Sequence, residues 1–236
     1  MEKKYKLTEE TINVNGKTLY RIEALRDFND VKKGDKGGYI EKEENLSQSD
    51  YCWVDGNAMV YGNAIVYGNA RVYDNAIVYW HAEVYGDAVV CDNAVVCGNA
   101  EIYGKAKVFG NAEVYNNAIV CGNAQVCGYA RIYGQAQVRD DAEVYGDAVV
   151  CGNVLVSDKA KISNNAIVFG NAQVCGYAWV YDKAKVYDNA QVCGNAMVYG
   201  NTEVYDNAKV FEEAKICGNA KVGGDARVYG KAKICG

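Results

Sequence analysis

The chain has 236 residues, half of them hydrophobic and 23% charged, with 25 Gly, 20 Tyr, 10 Cys, one His, no Pro and a formal net charge of −5. A mildly acidic balance argues against a general nucleic-acid binder, which needs a basic stripe to displace counterions from phosphates. A single His leaves little for imidazole catalysis, and no eighteen-residue apolar run exists to span a bilayer, so no membrane partner is expected. The polar start Met1-Glu2-Lys3-Lys4-Tyr5 shows no secretory leader, and a cytoplasmic location is the expectation.

Residues 1–50 do not repeat. Tyr5, Leu7, Thr11-Ile12-Asn13-Val14 and Thr18-Leu19-Tyr20-Arg21-Ile22 flank Asn15-Gly16, a pair that favours a two-residue hairpin turn. A small strand-rich cap is expected here, covering strand edges that would otherwise recruit other chains.

From residue 51 to residue 236 one motif is copied. Val or Ile recurs at every sixth position from Val54 to Ile234, which makes 31 hexads without interruption. Two residues before each aliphatic stands Ala, replaced only by Val154 and Thr202 between Ala58 and Ala232. The unit reads A-x-V-Y-G-N. In an extended chain Ala and Val point to one side and x and Tyr to the other, which predicts a strand of four residues. Gly, Asp and Asn dominate the next two positions and tolerate the positive φ of a sharp corner. Three such sides close a triangular coil, one hexad to a side. The hexads then make about ten coils of parallel strands, roughly 50 Å of rod at 4.8 Å per coil.

The A-x-V-Y-G-N unit resembles the hexapeptide repeat of left-handed parallel β-helix proteins, although here Tyr or Cys follows the aliphatic and Gly comes one place later. Asp27-Phe28-Asn29-Asp30-Val31-Lys32, Gly37-Gly38-Tyr39-Ile40, Asn45-Leu46-Ser47-Gln48 and Cys52-Trp53-Val54 are similar to the leader of YdcK-type hexapeptide-repeat proteins. The resemblance implies an all-β, single-stranded, left-handed β-helix. It also brings the name transferase, which rests on fold likeness and is weak ground for function. Acyltransferases of the hexapeptide family bind acyl-CoA between the prisms of a trimer and use a His base. The resemblance therefore offers a trimeric acyltransferase-like enzyme as an alternative reading, with acyl-CoA as its cofactor.

His81 is the one candidate for that base. It stands in Tyr79-Trp80-His81-Ala82, where Gly-Asn is usual, and a solvated corner His is the plainer reading; no catalytic residue is assigned. No metal is carried over either, since the zinc-binding carbonic anhydrases of this fold use three His. Every Cys except Cys52 occupies the Tyr position. Cys175 and Cys193, and Cys217 and Cys235, would stack one coil apart, yet free thiols in a reducing compartment are the expectation.

Positions three hexads apart share a face. One face carries Tyr61, Tyr79, Cys97, Tyr115, Tyr133, Cys151, Phe169, Tyr187 and Tyr205 in one ladder, beside Met59, Ile77 and Val95. Stacked aromatics stabilise a ladder by themselves, but a contiguous apolar strip also marks a contact surface. Met59, Tyr61, Ile77, Tyr79, Val95, Tyr115, Tyr133 and Phe169 are the candidate interaction residues. Residues 54–156 hold 5 basic and 11 acidic side chains and residues 157–236 hold 10 and 8, so the rod is electrically polar from end to end.

The sequence thus favours a non-catalytic β-helical rod, a structural or protein-binding module whose Tyr-rich face meets its own copies, as a dimer or trimer, or another protein. No cofactor is expected. Besides the acyltransferase-like enzyme, an inhibitor that imitates duplex nucleic acid is a third reading, and nucleic acid itself is not expected as a partner.

Overall fold

A computed structural model describes residues 3–236, and among these it contains strands, one short 3-10 turn at Glu43–Asn45 and no α-helix. Among the described residues no helix is long and apolar enough to cross a membrane. From Trp53 onward the chain winds as a parallel β-solenoid, an all-β fold of between ten and eleven turns. Each strand pairs with those one coil away: Met59↔Ile77, Val60↔Val78, Val78↔Val96. Three sheets result, of 13, 11 and 10 strands. We call them the first face (rungs Met59–Val60, Ile77–Val78 and on), the third (Trp53–Val54 and on) and the second (Ile65–Val66 and on).

Most rungs are two residues long rather than the four expected. The cause lies in the backbone hydrogen bonds. Met59 and Tyr61 donate along the rod to the Ala76 and Val78 carbonyls at 2.9 and 3.1 Å, but the Ala64 N–H turns back to the Tyr61 carbonyl at 3.4 Å. Ala closes the corner instead of extending the strand. The Asn63 N–H crosses to the Trp80 carbonyl at 2.6 Å, so the corners are also tied coil to coil.

Inside, the Val and Ile of every hexad through Ile216, and the Ala through Ala214, are fully buried in one column. Burying one such aliphatic side chain is worth about 1.5–3 kcal/mol. Ala, which loses no side-chain entropy, fills the narrow space beside each corner. Thr202 takes the Ala position with its hydroxyl buried and unpartnered.

At the N-terminal end, β1 (Tyr5–Val14) and β2 (Lys17–Ala24) form the expected hairpin, with Asn15 and Gly16 at φ 51° and 80°. Positive φ at both turn residues fits the twist of the two strands. β2 pairs antiparallel with β3 (Lys36–Ile40), and β3 pairs parallel with Met59–Val60, so the leader extends the first face. Gly37 and Gly38 allow this contact, because a Cβ on either would lie 2.5 Å from the Val54 or Ala58 carbonyl oxygen. Leu46 bridges to Val66 on the second face, while Tyr5, Phe28 and Trp53 pack edge to face over the end of the core. Buried Lys4 donates from Nζ to the Asp50 and Cys52 carbonyls at 2.8 and 2.9 Å.

Candidate functional site

The corners carry a hydrogen-bonding pattern that repeats with every coil. The first corner residue has positive φ at every hexad from Gly56 to Gly230, whether Gly, Asp, Asn, Glu or Trp. An Asp or Glu at that place turns its carboxylate toward the next coil. Asp92 accepts from the Gly110 N–H at 2.9 Å, Asp158 from Gly176 at 2.9 Å, Asp206 from Gly224 at 2.9 Å and Glu212 from Gly230 at 2.7 Å. The first coil has no coil beneath it, and leader or neighbouring carboxylates replace one: Glu41 accepts from Gly62, Asp50 from Gly68 and Asp55 from Gly56. At the second corner position side-chain amides form rows, such as Asn57 to Asn75 to Asn93 to Asn111. These corner carboxylates and amides thus tie one coil to the next.

On the outer faces, rings at the Tyr position stack one coil apart. Tyr115 and Tyr133 lie 4.9 Å apart with planes 6° from parallel, Phe169 and Tyr187 4.8 Å and 6°, and Tyr61 and Tyr79 5.2 Å and 11°. The second face has its own ladder, Tyr67, Tyr85 and Tyr103, in which the first two hydroxyls donate to Glu83 and Glu101. Burial, then the hydrogen bond to Glu83, pushes the Tyr67 hydroxyl up to about 12. The one-coil interval between identical residue types is the signal for this second ladder, although the mixed charges beside it concealed it.

The candidate residues of the first face fall into two groups. Leu19 and Tyr39 of the leader bury Tyr61 to 7% exposure, and Ile12, Val14, Met59, Ile77 and Tyr79 pack against that cluster. The hairpin therefore occupies the upper end of the face, where the sequence showed an uncharged strip. Val95, Tyr115, Tyr133 and Phe169 lie beyond that cluster and are half-buried by their own stacking. Val149 and Ile167 stand beside Cys151 and Phe169, which gives two consecutive rungs without a charged side chain.

His81 is exposed at a corner. The two neighbours that could orient it are engaged elsewhere: Glu83 accepts from Tyr67, and Tyr85 donates to Glu101. An open groove of 630 Å³ runs beside it, lined by Trp80, His81, Asn99, Asn116, Asn117 and Gln135 together with corner glycines. On the third face Asp74, Cys91 and Asp92 bring potential ligand atoms within 4.8 Å of one another, but both carboxylates also serve the corner ladder.

The cysteines correct one expectation. Cys175 is bonded to Cys193 and Cys217 to Cys235. The solenoid register places their Cα atoms 4.6 and 4.5 Å apart, inside the range a disulfide spans. The other six remain thiols. Burial raises the pKa values of Cys52, Cys91, Cys97 and Cys127, which disfavours their thiolates.

The family model for the YdcK β-solenoid repeat matches residues 56–68, 60–79, 160–176 and 190–206. No curated protein matches the chain.

Proposed function

We propose that this chain, a β-solenoid built of YdcK-type repeats, works as a non-catalytic rod that associates with a second copy of itself through its first face. The supporting observation is the pair of uncharged rungs Val149–Cys151 and Ile167–Phe169, which lie outside the cluster formed with the hairpin. Apolar side chains on regularly spaced rungs give a flat, stiff strip. A stiff strip loses little conformational entropy when it is covered. The non-catalytic part of the reading draws on the engagement of polar side chains in the corners and on the commitment of Glu83 and Tyr85 to partners other than His81.

Light scattering tests it. The expected solution mass is a multiple of the 25.7 kDa chain, falling to 25.7 kDa in Ile167→Lys/Phe169→Lys while the β-sheet circular dichroism persists. A monomeric parent, or an oligomer indifferent to the double substitution, would remove this face from consideration. A trimer that binds acyl-CoA between its subunits would overturn the non-catalytic reading.

A further inference from the structure

Trp80 breaks the corner rule more severely than any other residue. It sits at φ 64°, in a conformation that costs a bulky L-residue free energy and that Gly or Asp occupies at most other corners. A carboxylate there would bond the next corner's N–H; an indole cannot accept that bond. Nor is the ring tucked away, since Trp80 is 59% exposed and meets Tyr79 at a tilted 5.3 Å. A strained, exposed aromatic that contributes this little to the fold points toward a ligand.

The surroundings specify the chemistry. His81 interrupts the corner amide row between Asn63, whose Oδ1 accepts from Lys42, and Asn99, whose Nδ2 donates to Asn117. Beyond the indole, the groove continues past Asn99, Asn116 and Asn117 to Gln135, a span of three coil steps or roughly 14 Å. Its lining includes neither Lys, Arg, Asp nor Glu. With Asn99 Nδ2 donating to Asn117 Oδ1, the Asn99 Oδ1 acceptor, the Asn117 Nδ2 donor and the Gln135 amide are left to face a ligand, and the imidazole can donate and accept with its two nitrogens. The indole offers an apolar platform at one end.

We infer that the Trp80 groove binds a neutral oligosaccharide lying along the rod axis, with one sugar ring stacked on the indole and the hydroxyls of the following units paired with His81, Asn99, Asn117 and Gln135. A pyranose has an apolar C–H face and a rim of vicinal hydroxyls, which matches a platform followed by side-chain amides. The uncharged lining disfavours phosphorylated or acidic glycans. Regular corner spacing provides a row of polar groups for a regular chain. The groove borders the first face, since Trp80 meets Tyr79 and Gly134 ends the rung Arg131–Gly134, but the rungs Val149–Cys151 and Ile167–Phe169 invoked for self-association do not line it.

The probes are cellohexaose, maltohexaose and chitohexaose, titrated into the full chain while tryptophan fluorescence and binding heat are read. Trp53 is buried, so Trp80 supplies the exposed indole signal together with half-buried Trp179. Saturable binding of at least one probe is expected, weakened tenfold or more by Trp80→Gly and by Gln135→Ala. The fluorescence response should disappear in Trp80→Phe while part of the binding heat remains. Trp80→Gly is also expected to melt no lower than the parent, since Gly suits positive φ, so loss of binding cannot be ascribed to unfolding. Absence of saturable binding by all three probes, or binding indifferent to Trp80→Gly, would overturn the inference.

Discussion

Leu19→Ala tests whether the hairpin is held down by the ladder it covers. Leu19 is fully buried against Tyr39 and Tyr61, with Ile12 and Val14 beside it, whereas the base of the hairpin is anchored separately by Tyr5, Ile22 and Ala24 in the main core. Truncating a fully buried Leu costs about 3 kcal/mol, from lost transfer energy and the void left behind. A two-stranded hairpin is marginal alone, so the loss should appear as local opening of residues 11–20 and not as melting of the solenoid. At about 1.4 kcal/mol per factor of ten, hydrogen exchange of the paired amides in Thr11–Tyr20 should accelerate roughly a hundredfold. Amides beyond residue 100 should exchange at the parent rate. Unchanged exchange in the hairpin, or uniform acceleration along the rod, would refute the account of how the hairpin is anchored.

Other consequences are as direct. Thr202→Ala removes a buried hydroxyl without a partner at a position where Ala is the rule, and is expected to raise stability by about 1 kcal/mol in urea unfolding; a lower midpoint would show that the hydroxyl is satisfied or that the methyl matters more. Asp50 is held below its usual 3.8 by the Ser47 hydroxyl and the Gly68 N–H. A depressed folded pKa gives stability that is complete above the unfolded value and disappears as pH falls through the folded one. Asp50→Asn should therefore lose less stability than the parent as pH falls from neutrality to below 3.8, and an identical pH profile for the two would count against the bond. Thiol titration of the unfolded, unreduced protein should find six groups, rising to ten after reduction, and ten at the outset would contradict both disulfides. Reduction should cost about 3 kcal/mol for each loop closed, measurable as a lower unfolding midpoint.

Much of the fold is legible because one residue type recurs at one interval. Val60, Val78 and Val96 announce a parallel stack before any coordinate is known, and Asn15-Gly16 announces its hairpin. The strand length was less legible, since whether the Ala N–H extends a strand or closes a corner depends on three-dimensional geometry that a list of side chains does not carry. The same holds for Tyr61: its sequence context shows an apolar outer rung, but Leu19 covers it from 42 positions away. Asp at the Gly place reads locally as a turn residue, and its second role as acceptor for an N–H on the next coil emerges only once the register is known. Trp80 and His81 were visible as departures from the motif, while the groove beside them required the stacking of four successive corners.

Because the partner of each residue lies one full coil away, length in this molecule is counted in two units, the side and the coil. Inserting or deleting one hexad preserves every inward aliphatic and every corner, yet turns all that follows by one side of the triangle. The disulfide pair at 175 and 193 would still meet if the change fell before it, but on a different flank of the rod. Adding three hexads restores the flanks and changes only the reach, by about 4.8 Å. Duplications in single hexads would thus remodel the outer surface of such a chain while its interior stayed the same.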